Sequence, residues 1–174
     1  IAQDPVMGVD MKPDMVSFAT LTPYALLGLC FGPVAGVLAS KFGYRSVLRA
    51  GLIVSIAGVL FDIILTNNAS IPSLVIISVV LGIAYAGTAN IMLNGLGIVL
   101  SPEDNPGYLP GMNAGAFNLG AGLSFAVLYA VMDVFAMNGA QVGYSAAMIA
   151  SAVLLGAALL VSLFIPKPSD ADNS

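Results

Sequence analysis

The stretch IILTNNASIPSLVIISVVLGIAYAGTANIMLNGLGIVLSP, residues 63–102, contains 40 consecutive uncharged residues. About 20 apolar residues are enough to cross the hydrocarbon core of a bilayer as a helix. The stretch is twice that length, and a polar cluster at residues 67–72, which ends in Pro72, interrupts it. Because such clusters mark loops, the stretch predicts the end of one membrane-spanning helix and the whole of a second one.

Three more uncharged runs, at residues 15–40, 105–132 and 134–166, are also long enough to span a membrane. Turn residues at 101–106 separate the third predicted span from the fourth. Turn residues at 137–139 separate the fourth span from the fifth. Together the runs and the turns predict five spans. The spans lie near residues 15–39, 47–66, 73–100, 107–134 and 141–165.

Backbone chemistry in lipid restricts these spans to helices, because an open sheet leaves its amides without partners and the chain lacks the alternation of a barrel. We therefore expect an all-α, polytopic transmembrane helical bundle over residues 15–165. Most Lys and Arg side chains lie on one side if residues 1–14 form an extracytoplasmic loop and residues 166–174 a cytoplasmic tail. Only Lys12 is then outside, and the inner basic residues are Lys41, Arg45, Arg49 and Lys167.

The composition of the 174 residues excludes most soluble functions, since 59% are apolar and only 8% are charged, against about 25% charged in soluble domains. The chain has no His and one Cys, which excludes His-based metal sites and internal disulfides. Five basic residues are too few for a nucleic-acid surface. We expect a lipid bilayer as partner, no nucleic acid, no metal and no cofactor.

A short motif lies in the first predicted cytoplasmic loop, at residues 36–45, with the sequence GVLASKFGYR. It resembles the loop motif of the major facilitator superfamily, G-x-L-A-D-R-x-G-R-R. Lys41 keeps the charge of the first Arg, whereas Ser40 replaces the usual Asp. Lys41 and Arg45 could alternatively serve only as topology charges. The matching positions are Gly36, Leu38, Ala39, Gly43 and Arg45.

The resemblance implies that the five spans are helices eight to twelve of a twelve-helix transporter, since the degraded motif is typical of the family's second half. The chain would then be a piece of a longer protein, with the N-terminal half of the same transporter as its partner. The small-residue segment 111–122 looks like the eleventh helix of multidrug-type members. The expected location is a cell membrane, of the bacterial inner-membrane type.

The resemblance implies secondary active transport of a small solute by alternating access, driven by an ion gradient. Efflux of drugs or other small organic molecules by antiport is one form that this transport could take. The alternative is a structural or assembly subunit without transport activity. An intramembrane enzyme is not expected, because without His it would need an aspartyl pair, and Asp62 and Asp133 both lie near the outer face.

Polar residues recur at helical spacing in the third and fourth spans, which by resemblance border the central cavity. Buried amides in a bilayer turn toward protein or water, so we expect cavity-lining residues at Asn90, Asn94, Asn118, Tyr85 and Tyr129. Helix packing is the alternative, and for the glycines it is the preferred one. The two stripes are Ser78, Gly82, Ala86, Asn90 and Asn94, and Gly111, Gly115, Asn118, Gly122, Tyr129 and Asp133.

Two acids lie within or beside predicted spans and are candidates for proton coupling. Asp133 continues the polar stripe of the fourth span and is the better candidate, whereas Asp62 lies on a span that the resemblance makes peripheral. The alternative for both is an interfacial carboxylate that reaches water, because an acid near the interface costs much less than one at the bilayer centre.

Overall fold

A computed structural model describes residues 1–6, 8–66 and 69–168. Within these residues the chain forms five helices long and apolar enough to cross a membrane, and no strand. The predicted all-α bundle of five spans is therefore confirmed. The helices are α1 (Pro13–Phe42), α2 (Tyr44–Thr66), α3 (Ile71–Val99), α4 (Tyr108–Ala136) and α5 (Ala140–Ser162).

The helix ends differ from the predicted ones by a few residues, and local chemistry explains the differences. Helix α1 begins at Pro13, a residue favoured in a first helical turn. Gly43, with a φ of 81°, is the single residue between α1 and α2, so helix α2 begins at Tyr44. Parts of the predicted loop at 67–72 and of the tail at 166–174, namely residues 67–68 and 169–174, lie outside the described residues.

Helix α3 changes its hydrogen-bonding pattern in the middle of the span. It begins with a capping box, in which Ser70 and Ser73 exchange hydrogen bonds between side chain and backbone. Its segment Gly82–Asn90 is a π-helix, in which the Thr88 hydroxyl donates to the Ile83 carbonyl five residues earlier, at 2.8 Å. Such i to i+5 segments rotate the following side chains relative to an α-helix and are frequent at functional sites.

Helix α3 packs closely against α1 through small residues. A Cβ added at Gly82 would lie 2.6 Å from the Tyr24 carbonyl oxygen and 2.9 Å from its Cα. A Cβ at Gly28 would lie 2.7 Å from the Ala86 Cβ. These distances are shorter than van der Waals contact, so a glycine at residues 28 and 82 is what allows the two backbones to approach this closely.

The core lies where α1, α2 and α3 meet, toward the end of the bundle that carries Gly43. Helix α5 is held to α2 at the same end, where the Arg49 guanidinium donates to the Ser162 carbonyl at 3.1 Å. At the opposite end the Tyr144 hydroxyl donates to the Asp4 carboxylate at 3.0 Å. The buried core residues are Ala35, Ala39, Val47, Leu48, Leu52, Ala89, Met92 and Leu96.

Helix α4 differs from the others because none of its residues is buried. It packs along α5, and it approaches α3 only at the segment Ile91–Val99, next to the loop that joins the two helices. In the part of the chain that the structure describes, the Cα atoms of the π-helical segment Gly82–Asn90 all lie more than 8 Å from those of α4. The two helices therefore diverge away from their loop and leave a groove between them.

Candidate functional site

The groove between α3 and α4, called here the amide groove, has a volume of about 520 Å³. This volume lies within the usual range of small-molecule sites, about 300–1,000 Å³. The lining is mostly apolar and aromatic, with two amides and two hydroxyl groups. The lining residues are Tyr85, Asn90, Leu93, Asn113, Ala116, Phe117, Gly120, Ala121, Ser124, Phe125 and Leu128.

The π-helical segment brings Tyr85 and Asn90 to the same wall of the groove. The two residues are five positions apart, the separation that the i to i+5 hydrogen bonds of a π-helix join. In a regular α-helix, residues three or four apart share a face instead. The polar wall of α3 is thus a product of the local change in helix type.

Hydrogen bonds close the amide groove at the end next to the α3–α4 loop. The Asn113 side-chain amide donates to the Asn94 side-chain oxygen at 2.9 Å, and the Asn94 amide donates to the Asn90 carbonyl at 3.0 Å. Below them the Leu109 N–H donates to the Ser101 hydroxyl at 3.2 Å. The Asn113–Asn94 bond joins α3 to α4 near their loop, whereas the helices diverge toward the other end, which stays open.

A smaller cavity of about 220 Å³, called here the hydroxyl pocket, adjoins the amide groove. The two share Tyr85, Ser124 and Leu128. Helix α5 completes the pocket with Ser151, Leu154 and Leu155. Within the described residues, no acidic or basic side chain lines either cavity, so both offer neutral hydrogen-bonding groups in an apolar frame.

The structure brings some of the predicted cavity residues together and separates others. Tyr85 and Asn90 line the amide groove, and Asn94 lies at its closed end, bonded to Asn113. Asn118 is exposed on another face of α4, where its amide donates to the Ala114 carbonyl at 2.9 Å. Tyr129 is also outside the lining and is 61% exposed.

Sequence reasoning missed the residues of α4 that do line the groove. Asn113, Phe117, Gly120, Ser124 and Leu128 recur at intervals of three and four residues, which is the helical signal for one face. The predicted stripe, which included Gly111 and Gly115, shows the same spacing on a different face, and a Cβ at either glycine would meet nothing within 4 Å. Spacing alone could not choose between these two faces.

The two candidate coupling acids lie apart from the amide groove. Asp133 is exposed near the end of α4, and Asp62 is half-buried near the end of α2. Neither carboxylate lines the amide groove or the hydroxyl pocket. A part in coupling would therefore require contacts with a region other than these two cavities.

The loop motif forms a tight connection between α1 and α2. The Gly43 N–H donates to the Ala39 carbonyl at 2.8 Å and ends α1. Lys41 is exposed, and a Cβ at Gly36 would meet nothing within 4 Å. The buried Nε atom of Arg45 has no hydrogen-bond partner among the described residues.

A third cavity, of about 470 Å³, lies between α1, α2 and α3. Its walls are almost wholly apolar, including Phe31, Phe42 and Val54. Thr88 also lines it, but the Thr88 hydroxyl is engaged with the Ile83 carbonyl. This cavity offers a polar solute little to bind, in contrast to the amide groove and the hydroxyl pocket.

Known proteins place the chain in a family. A sequence model of the Major Facilitator Superfamily matches residues 4–174. The uridine/deoxyuridine transporter of Lactococcus lactis subsp. cremoris (strain MG1363) is 52% identical over 172 residues, which are 98% of this chain and 36% of that protein. The chain thus spans little more than a third of the length of this curated relative. No solved structure matches significantly.

The match includes the loop motif at residues 36–45 and all five helices. The resemblance read from that motif is confirmed. The five apolar helices agree with the location that the match implies, which is a membrane crossed several times. The chain belongs to the Major Facilitator Superfamily.

Proposed function

We propose that the full-length protein transports pyrimidine nucleosides across the membrane and that this chain supplies one wall of the solute site. The observation that carries the proposal is the 52% identity, over 98% of this chain, to a uridine/deoxyuridine transporter. The remaining part of the full-length protein would supply the opposite wall. The two walls would expose the site to each side of the membrane in turn, as in alternating access.

The chemistry of the amide groove supports an uncharged, hydrogen-bonding solute. A side-chain amide carries both donors and an acceptor, and the imide edge of uracil likewise presents an N–H between two carbonyl groups. Asn90 can therefore pair with that edge, while Phe117 and Phe125 provide ring faces for the base. Base–aromatic stacking is worth about 1–3 kcal/mol per base, and a pyrimidine nucleoside carries no charge at neutral pH.

The absence of charged side chains from both cavities, within the described residues, favours nucleosides over nucleotides. A phosphate group requires cationic or backbone N–H partners, as in Arg–phosphate pairs. The proposal does not include the efflux of drugs, which the resemblance to multidrug-type members led us to expect. Coupling to a proton gradient through Asp133 is a separate hypothesis with its own test.

A second candidate role for the amide groove is to seat a helix from the remaining part of the full-length protein. The groove is open along α4, and Ala116, Gly120 and Ala121 in its wall would permit close helix approach. In that arrangement Asn90 would bond to a neighbouring helix. The side chain would not contact water or solute.

Uptake of radiolabelled uridine by the full-length protein, expressed in cells that lack nucleoside uptake, tests the proposal. Losing a hydrogen bond from a buried group costs about 1–3 kcal/mol, so we expect Asn90→Ala to weaken apparent uridine affinity about 5- to 140-fold. The matched control is Asn105→Ala in the exposed α3–α4 loop, which should behave as the native protein. No uridine uptake by the native protein would refute the proposed function.

A further inference from the structure

We infer that the solute site has two compartments, with the nucleobase in the amide groove and the pentose in the hydroxyl pocket. The inference rests on the proposed transport of nucleosides. The first observation is that the two cavities adjoin, because both are lined by Tyr85, Ser124 and Leu128. A nucleoside likewise consists of two adjoining parts, a flat base and a smaller sugar ring.

The polar groups of the two compartments differ in kind. The polar side chains that line only the amide groove are the amides Asn90 and Asn113, beside the rings of Phe117 and Phe125. All polar side chains of the hydroxyl pocket are hydroxyl groups, on Tyr85, Ser124 and Ser151, and its remaining walls are leucines. Amides suit the imide edge of a base, whereas hydroxyl groups, which both donate and accept, suit the hydroxyl groups of a sugar.

The sizes of the compartments agree with this assignment. The hydroxyl pocket, at about 220 Å³, is less than half the size of the amide groove, at about 520 Å³. Phe117 and Phe125 lie on the groove side, and among the described residues that line the pocket Tyr85, at the junction, is the one aromatic residue. A stacking partner is thus available to the base but not to a ring deeper in the pocket.

The hydroxyl groups retain hydrogen-bonding capacity. The Ser151 hydroxyl donates to the Ala147 carbonyl at 3.0 Å, which leaves its oxygen free to accept a bond. Within the described residues, no hydrogen-bond partner is found for the hydroxyl groups of Tyr85 and Ser124. Half-buried hydroxyl groups in an apolar pocket favour a polar occupant, because leaving them unpaired costs free energy.

The pocket is also predicted to tolerate loss of one sugar hydroxyl. The relative's two named solutes, uridine and deoxyuridine, share the same base and differ at the 2′ position. We therefore assign the contacts from Ser124 and Ser151 to the other sugar hydroxyl groups. On this assignment 2′-deoxyuridine should bind within about threefold of uridine, whereas free uracil, which has no sugar, should bind much more weakly.

Equilibrium binding of uridine, 2′-deoxyuridine and uracil to the purified full-length protein tests the assignment. The native protein should bind uridine at least tenfold more tightly than uracil. The double variant Ser124→Ala/Ser151→Ala should lose about five- to tenfold of its uridine affinity and keep its uracil affinity. Asn90→Ala should weaken the binding of both ligands by the same factor.

Two further variants keep the test decisive. Ser151→Leu fills the hydroxyl pocket and should abolish the preference for uridine over uracil while uracil still binds, which shows that the variant is folded. Ser78→Ala is the matched control, because Ser78 makes the same type of bond to a carbonyl four residues earlier, at 2.8 Å, and lines neither cavity.

The outcomes distinguish failure of the proposed transport function from failure of the two-compartment assignment. A native protein that neither binds nor transports uridine refutes the proposed function. A protein that binds uridine, but whose serine variants change uridine and uracil affinity equally or leave both unchanged, overturns the two-compartment assignment alone. Loss of 2′-deoxyuridine binding by more than tenfold relative to uridine would contradict the assignment of the sugar contacts.

Discussion

The close packing of α3 on α1 predicts that a single methyl group at residue 82 destabilises the protein. In Gly82→Ala the new Cβ would lie 2.6 Å from the Tyr24 carbonyl oxygen and 2.9 Å from its Cα. Both atoms belong to the backbone, so the clash cannot be relieved by a side-chain rotation. Relief to an ordinary contact of about 3.5 Å requires α3 to move away from α1 by roughly 0.9 Å.

The energetic consequence has two opposing parts. Overpacking of a well-packed core costs about 1–3 kcal/mol, whereas replacing a helical Gly by Ala gains about 1 kcal/mol in helix propensity. Gly156→Ala in α5 isolates the second part, because a Cβ at Gly156 would meet nothing within 4 Å. Relative to Gly156→Ala, we expect Gly82→Ala to be less stable by about 1–3 kcal/mol, a factor of about 5 to 140 in the unfolding equilibrium.

Unfolding of the full-length protein in mixed micelles, followed by helical circular dichroism during an SDS titration, measures this difference. The Gly82→Ala midpoint should lie below the Gly156→Ala midpoint and at or below that of the native protein, and the Gly156→Ala midpoint at or above that of the native protein. Equal midpoints for the two variants would refute the close α1–α3 contact.

Two other predictions concern the closed end of the groove and the coupling acid. A double-mutant cycle on Asn94→Ala and Asn113→Ala should give a coupling free energy of about 0.6 kcal/mol, the average for interhelical hydrogen bonds in membranes. If the two substitutions change the free energy of unfolding additively, the 2.9 Å bond between the two side chains contributes nothing to stability. If Asp133 couples proton flow to transport, Asp133→Asn should abolish uridine accumulation against a gradient and leave uridine exchange intact. Unchanged accumulation by this variant would eliminate the role.

The architecture of five spans could be predicted because the uncharged runs and the turn residues that divide them determine it. Residues 63–102 contain no charge, and their single polar interruption coincides with the start of α3 at Ile71. The loop motif could also be interpreted locally, since Gly43 adopts the positive φ that a one-residue connection requires. Both features depend on neighbouring residues and need no knowledge of how the helices pack.

The groove could be predicted only in part, because its walls depend on helix type and rotation. The predicted stripe of α3 assumed a regular spacing of four, but the π-helical segment directs Gly82 and Ala86 toward α1 and Asn90 toward the groove. On α4 two faces carry an Asn at helical spacing, and only the contact with α3 identifies Asn113 as the lining residue. Periodicity cannot supply either fact.

Cysteine labelling at residue 90 is the most direct test of a water-accessible solute site. In a full-length variant whose native cysteines, including Cys30, are replaced, Asn90→Cys should react with a hydrophilic thiol reagent, and saturating uridine should slow that reaction at least fivefold. Thr88→Cys is the matched control and should stay unlabelled, because Thr88 is buried. An unreactive Cys at residue 90, as expected if another helix fills the groove, or labelling unaffected by uridine, would contradict the account.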